Sequence, residues 1–306
     1  MLGGPARRAA LRVAHRAVGA EAREPEALPG LLHQNGRRGT YAQDLFTERA
    51  LGFIKKNQAR PFFLYLAYTT PHPDYEVPTL AQYADKPWSS LEKTYAAMVS
   101  RLDGDVGRLL SLLRELHLDE DTLVFFTSDN GASDTIAGLR FHSTPQFRGR
   151  KGSLYEGGIR SPMLVRWPGK VPAGAVSSQV WYFADFLPTA AELAGAKPPA
   201  RLDGVSIVPC LVGKSQDLAQ RFLYWENPRS RAARQGNWKV VRPKLSEPLE
   251  LFDLSTDPGE TTNLAAEHPE IIVQFEAYLK AAHTPSPNYP EGAPPRQPKA
   301  KKQSVQ

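Results

Sequence analysis

Residues 122–131 read TLVFFTSDNG, so an apolar run passes directly into side chains that carry oxygen atoms. The run 122–126 is typical of a buried strand, and Asp129 and Asn130 follow its carboxyl end. In open α/β sheets, ligands collect at the carboxyl ends of strands. Carboxylate and carboxamide oxygens suit a hard cation such as Ca²⁺ or Mg²⁺, although Asp-Asn-Gly is also ordinary turn chemistry.

A second apolar run lies upstream, where residues 62–68 read FFLYLAY and end close to His72. Such a run is typical of a strand that is buried on both faces. Before this run, the spacing of apolar residues predicts a helix over residues 41–56.

Between the two runs, apolar residues recur every three or four positions over 91–116, which predicts a long amphipathic helix that begins with a capping box of Ser89 and Glu92. Strand, helix and strand together predict a βαβ unit with parallel strands, which would place His72 at the same sheet edge as Asp129 and Asn130.

A glycine-rich basic segment follows at residues 148–162, RGRKGSLYEGGIRSP, and leads into the apolar run 163–167. Glycines on both sides of Lys151 let the backbone turn tightly and let a bound group approach closely. The run Arg148 to Lys151 could also be a basic surface patch, for example for nucleic acid. It is too short, and too closely set between ordered elements, for that interpretation to be preferred.

Beyond residue 185, the sequence pattern changes to one helix followed by short strands. Asp185 begins a predicted helix that Gly195 ends, and beyond it short strands at 222–225, 238–241 and 249–252 are spaced as in an antiparallel sheet. A final helix is predicted over residues 270–282. The predicted organisation is a disordered or mis-assigned leader at 1–38, an α/β domain at 39–205, an antiparallel-sheet subdomain with the final helix at 206–283, and a disordered tail at 284–306.

Composition excludes several classes of protein. Of the 306 residues, 41% are hydrophobic and 23% are charged, as in a globular protein, and no apolar run has the length of a membrane span. We therefore expect neither a membrane nor a nucleic acid as partner. The single cysteine, Cys210, excludes an intrachain disulfide and a cysteine-based zinc cluster. The leader shows no uninterrupted apolar segment of the kind found in signal peptides.

Several motifs occur in one fixed order. They are PFFL with PHP at 61–64 and 71–73, SDNG at 128–131, KG through EGGIRSP at 151–162, DFLPT at 185–189, GNWK at 236–239, and LFDL through DPGE to NL at 251–264. In this order the chain resembles sulfatases of the arylsulfatase type, in the alkaline-phosphatase-like superfamily, over about residues 39–283. A phosphatase or phosphonate hydrolase of that superfamily is a weaker interpretation, because the motif around Lys151 is more similar to that of sulfatases.

The resemblance implies an α/β fold, here an incomplete alkaline-phosphatase-like sandwich: a central, mostly parallel sheet flanked by helices, with a smaller C-terminal α+β subdomain. It also implies a Ca²⁺-dependent sulfuric ester hydrolase with a formylglycine nucleophile made from Cys or Ser. Position by position, Asp129 and Asn130 would be calcium ligands. Lys151 would hold the sulfate group of an aryl or carbohydrate sulfate ester, and His72 would contact that group or the leaving oxygen.

The sequence lacks several features of the family pattern. No Cys/Ser-x-Pro-x-Arg motif and no N-terminal Asp-Asp pair is present, and Cys210 is followed by Leu-Val-Gly. We therefore expect a truncated form, a carboxyl-terminal portion that depends on a missing N-terminal fragment. The alternative is a catalytically inactive sulfatase-like domain that binds a sulfated ligand or partner. The sequence does not predict the cellular compartment, since many members of the family are exported but no signal peptide is visible.

Overall fold

The structure is a computed structural model that describes residues 40–72, 75–133, 140–287 and 290–291. The chain divides into two compact units, each made of two chain segments. Unit 1 comprises residues 1–127 and 163–216, and unit 2 comprises residues 128–162 and 217–306. The predicted leader and most of the predicted tail lie outside the described residues, so those two predictions stay untested.

Two helices build the first part of unit 1, α1 at Ala42–Asn57 and α2 at Ser90–Glu115, both where the apolar periodicity predicts them. A capping box starts α2: the Ser89 side chain accepts from the Glu92 amide while the Glu92 carboxylate accepts from the Ser89 amide. The two helices pack through buried apolar side chains such as Ile54 and Leu112. Their polar sides are joined by Arg101, which donates two hydrogen bonds of 2.6 Å to the Asp44 carboxylate.

The second part of unit 1 holds a two-stranded sheet and short helices. Strand β1, Val124–Thr127, pairs antiparallel with β2, Met163–Arg166. The helix that the sequence predicts after Asp185 is present as α4, Phe186–Ala194, and it ends at Gly195 in a left-handed conformation with φ of +64°. The other helical turns of this unit are Ala81–Tyr83, Asp119–Asp121, Phe183–Asp185 and the one-turn helix α5, Val208–Leu211.

The predicted parallel βαβ arrangement is not present among the described residues, and that prediction was wrong. Residues 61–69 form no strand ladder, and both sheets of the described part of the chain are antiparallel. The segment is not buried on both faces either, since Tyr65 is 81% exposed. An apolar run becomes a central strand only where neighbouring strands accept its backbone hydrogen bonds, and sequence alone does not show whether those neighbours exist.

Unit 2 is built on a four-stranded antiparallel meander in the order β3, β4, β5, β6. Its strands are β3 at Phe222–Asn227, β4 at Ser230–Gln235, β5 at Trp238–Arg242 and β6 at Glu250–Asp253, with a short helix α3 at Glu156–Ile159 and the final helix α6 at Pro269–Ala282. This confirms the antiparallel sheet and the final helix. The sequence did not predict β4, whose SRAARQ composition lacks the β-branched and aromatic residues typical of strands.

Both faces of the meander are covered. On one face, Val240 and Leu251 pack against Phe275 and Leu279 of α6. On the other face, Val241 and Phe252 belong to a cluster that includes Leu154, which lies just before α3. The segment that carries Lys151 and α3 is therefore part of the core of unit 2. Among the described residues, no helix combines the length and the apolar character that crossing a bilayer requires.

Candidate functional site

Two polar loops of unit 2 lie side by side. One follows β1 and carries Asp129 and Asn130, and the other carries Lys151. The backbone amide of Lys151 donates to the carbonyl of Ala132 at 2.8 Å, and the amide of Gly131 donates to the carbonyl of Gly158 at 2.9 Å. These hydrogen bonds fix the two loops together, so residues that stand about 20 positions apart in the sequence become neighbours.

Glycines make this close approach possible. A Cβ atom on Gly131 would lie 2.0 Å from the carbonyl oxygen of Gly157, and one on Gly157 would lie 2.2 Å from the carbonyl oxygen of Gly149. No side chain fits at either point. The EGG motif at 156–158 is therefore required by backbone packing, and its glycines serve the contact between the two loops.

The polar side chains at these loops are accessible. Asp129 and Lys151 are exposed, and Asn130 is half-buried. The Nδ2 atom of Asn130 donates to the carbonyl of Gly131 at 2.9 Å, so Oδ1 is the atom that this carboxamide could offer to a cation. One carboxylate, one carboxamide oxygen and one ammonium group are thus carried on two hydrogen-bonded loops.

The donor set agrees in chemistry, but not in number, with the calcium ion implied by the sequence motifs. Ca²⁺ prefers six to eight oxygen ligands, and Asp129 and Asn130 provide one carboxylate and one carboxamide. Within the part of the chain that the structure describes, no group of three or more His, Cys, Asp or Glu side chains forms a possible metal site. Asp129 and Asn130 would therefore supply only part of a coordination shell.

His72 lies elsewhere in the chain, in unit 1, where its side chain is exposed and its backbone amide donates to the carbonyl of Thr69 at 2.9 Å. The structure brings together the loops of Asp129, Asn130 and Lys151 within unit 2. That His72 joins them around one ligand stays a prediction.

A buried ionic cluster lies beneath the two loops, and the sequence assigned it no role. Lys239 of β5 is fully buried, and its Nζ is 2.9 Å from Glu156 Oε1 and 2.8 Å from Glu260 Oε1. The backbone amide of Glu156 also donates to Glu260 Oε2 at 2.6 Å. The one available signal in the sequence was a lysine inside the apolar strand WKVV, where a charge must find buried partners.

Arginines surround this cluster. Arg160 Nη1 is 3.5 Å and Arg234 Nη1 is 4.0 Å from Glu156 Oε2. Burial raises the pKa of Glu260, although Lys239 and the Glu156 amide oppose that shift, and burial lowers the pKa of Arg234. The balance of two carboxylates against nearby cations is what permits these charges in the interior.

Arg148 ties the Lys151 loop to the sheet. Its Nη1 donates to Glu250 Oε2 of β6 at 3.1 Å and to the carbonyl of Glu260 at 3.2 Å, and its guanidinium lies over the ring of Tyr155, 4.0 Å from the centroid. Burial and a hydrogen bond to Glu250 raise the pKa of Tyr155, so this hydroxyl stays protonated and donates.

Comparison with known proteins gives a consistent result. The family model described as Sulfatase matches residues 14–196, more than half of the chain, and the model described as N-sulphoglucosamine sulphohydrolase, C-terminal, matches residues 149–284. The chain is 38% identical over 245 residues to N-acetylgalactosamine-6-sulfatase of Homo sapiens, an alignment that covers 76% of this chain and 45% of that protein. Arylsulfatase A of Homo sapiens is 32% identical over 303 residues, 87% of this chain and 56% of that protein.

A solved structure, Ps i-CgsB in complex with k-i-k-neocarrahexaose, is similar with a TM-score of 0.70 at 30% sequence identity. The similarity covers 83% of this chain and 59% of that one. The chain spans about half the length of the curated relatives that it matches.

Proposed function

The chain belongs to the sulfatase family, and we propose that it acts in the hydrolysis of sulfate esters, with an aryl or carbohydrate sulfate as ligand. The observation that carries this proposal is the pair of hydrogen-bonded loops that present Asp129, Asn130 and Lys151. Their side chains offer a cation for the sulfate group and oxygen ligands for a metal ion.

Lys151 is the proposed sulfate-binding residue. Its ammonium group carries three donors, and as an exposed cation beside a tightly packed loop it can pair with a sulfuryl oxygen. As the S–O bond breaks, negative charge increases on the oxygens around sulfur, and a fixed cation lowers the energy of that state.

His72 is the proposed proton donor. Its imidazole can act as a general acid and protonate the departing alkoxide or phenoxide oxygen. The sequence contains no Cys/Ser-x-Pro-x-Arg motif, and none of these residues is the proposed nucleophile.

Asp129 and Asn130 are the proposed calcium ligands of this chain. A bound Ca²⁺ supplies positive charge that polarises the sulfuryl oxygens. The two residues hold their oxygens on a loop that the Gly131 to Gly158 hydrogen bond fixes, so less conformational freedom is lost when a ligand binds.

The test is a titration of the full chain with 4-nitrophenyl sulfate by calorimetry, with and without Ca²⁺. We expect Lys151→Met to weaken binding about tenfold to a hundredfold, the value of a charge-assisted hydrogen bond. Lys170→Met, at another exposed lysine, is the matched control and should bind as the wild type does. In a parallel titration, Asp129→Asn should weaken Ca²⁺ binding while Asp103→Asn should not.

Equal affinity of wild type and Lys151→Met for the ester would contradict the proposal. Released 4-nitrophenol, followed by its absorbance with the chain alone and with an N-terminal sulfatase fragment supplied, separates hydrolysis from the alternative, a domain that binds sulfated ligands without turnover.

A further inference from the structure

Lys239 lies in the sheet of unit 2, and its ammonium group contacts Glu156, in the segment that carries Lys151 of the proposed site. Its side chain is on the same face of β5 as Val241, the face that packs against Leu154. Its two carboxylate partners come from different parts of the chain, Glu156 at the start of α3 and Glu260 after β6. One buried ammonium therefore joins three separate segments of unit 2.

Glu156 is held at two points. Lys239 binds its side chain, and Glu260 accepts a hydrogen bond of 2.6 Å from its backbone amide. Glu260 itself adopts a left-handed backbone conformation with φ of +54°, which is uncommon for a residue with a side chain and requires fixed surroundings. Both the position and the direction of the first residue of α3 thus depend on the buried cluster.

From Glu156 the contacts continue to both loops of the site. The next residue, Gly157, donates its amide to the carbonyl of Arg148 at 2.8 Å, in the loop that carries Lys151. The residue after it, Gly158, accepts from the amide of Gly131, which follows Asn130. A shift of α3 would therefore move both loops, because the glycine contacts leave no free space to absorb it.

We propose that Lys239 is a positioning residue for the sulfate site: by fixing Glu156, it holds the Asp129–Asn130 loop and the Lys151 loop in the relative placement that binding one sulfate ester requires. This inference rests on the proposed function for its ligand. The contacts that carry it are independent of that ligand, so the two can be tested apart.

The test compares amide hydrogen exchange, measured by NMR on the full chain, in Lys239→Met and in Val240→Ala. Val240 is the neighbouring fully buried residue of β5, but it packs on the opposite face of the sheet against the α6 cluster and serves as the control for lost stability. We expect the Gly131 and Lys151 amides to exchange about tenfold faster in Lys239→Met than in Val240→Ala. Inorganic sulfate, as the probe of the site, should bind about tenfold more weakly to Lys239→Met alone.

Unchanged exchange at Gly131 and Lys151 in folded Lys239→Met would overturn the inference. Should Lys239→Met not fold, Glu156→Gln, which keeps the side-chain volume and removes one ionic partner, decides the question by the same exchange measurement. If exchange accelerates as expected while the wild type binds no sulfate, the proposed function fails and the positioning of the two loops by Lys239 stands.

Discussion

At the scale of single residues, glycines in this chain serve two different purposes. Gly149 and Gly152 have positive φ values of 77° and 95°, so their backbone conformation itself favours glycine. Gly131 and Gly157 have no such conformation, and there the requirement is space, because another backbone segment occupies the position of a Cβ atom. The sequence shows the same letter in both cases, and only the packed structure distinguishes the two reasons.

Gly131→Ala should therefore disturb the loop contact directly. The added Cβ would meet the Gly157 carbonyl oxygen at 2.0 Å, so the two loops must separate. We expect the free energy of unfolding to fall by about 1–3 kcal/mol, as in overpacked interiors, and sulfate affinity to fall with it. Chemical denaturation and calorimetry measure the two effects.

Gly104→Ala is the control for this substitution. Gly104 lies inside α2, and nothing stands within 4 Å of its Cβ position. The same chemical change should raise the free energy of unfolding by roughly 0.5–1 kcal/mol, because alanine loses less backbone entropy in a helix. A Gly131→Ala protein as stable as Gly104→Ala would show that the loops are not packed as described.

At the scale of secondary-structure elements, an ion pair links the turn after α2 to β2. Arg166 at the end of β2 donates to both carboxylate oxygens of Asp119, at 2.5 and 2.8 Å. The hydrogen bonds from Arg166 lower the pKa of Asp119 below its ordinary value. Nearby, the indole of Trp167 donates to the carbonyl of Glu120 at 2.9 Å, so two side chains join the same pair of elements.

The ion pair of Asp119 and Arg166 should make the stability of the fold depend on pH. Because the folded-state pKa of Asp119 is depressed, its contribution is complete above the unfolded-state pKa, about 3.9, and is lost as the pH falls through the folded-state value. Asp119→Asn should lower the stability of the β1–β2 ladder at pH 7 by at most about 1 kcal/mol, since the pair is partly exposed to solvent. The difference from wild type should shrink below about pH 4.

Amide exchange of the β1–β2 ladder in a series of buffers measures this dependence. Asp121→Asn, at an exposed carboxylate of the same helical turn, is the control and should show no such pH-dependent difference. A difference between Asp119→Asn and wild type that persists unchanged into acid would mean that the ion pair does not stabilise the fold.

At the scale of the whole molecule, the chain carries a formal net charge of +6. A positive balance favours anionic ligands, and the attraction weakens as salt screens it. If sulfate binds the folded chain and not the unfolded one, binding must raise the free energy of unfolding.

We expect sulfate at about 100 times its dissociation constant to raise the free energy of unfolding by about 2.7 kcal/mol in the wild type. Lys151→Met, with an expected affinity tenfold to a hundredfold lower, should show only about 0.4–1.4 kcal/mol, and Lys170→Met should show the full shift, with sodium chloride used to match ionic strength. Denaturation followed by circular dichroism gives the values. An equal shift in all three proteins would indicate a general salt effect without a site at Lys151.

Much of the local structure was predictable from the sequence. The apolar periodicity located α1, α2, α4 and α6, and the Ser89–Glu92 pattern correctly predicted the capping box. The alternation of short apolar runs with turns correctly predicted the antiparallel sheet of unit 2. These features depend on residues a few positions apart, which interact wherever the segment is placed. The motifs and their order can also be read directly from the sequence, and they were sufficient to predict the family.

The sequence by itself determined the four longer helices, the family and the polar residues that stand at the proposed site. Only the tertiary structure decided that residues 61–69 lie outside any strand ladder, that β1 pairs antiparallel with β2, and that Lys239 is buried between Glu156 and Glu260. Strand pairing and the burial of a charge depend on partners tens of residues away in the chain. The free energy of such contacts is set by which groups lose water together in the folded state, and no local pattern of residues records that.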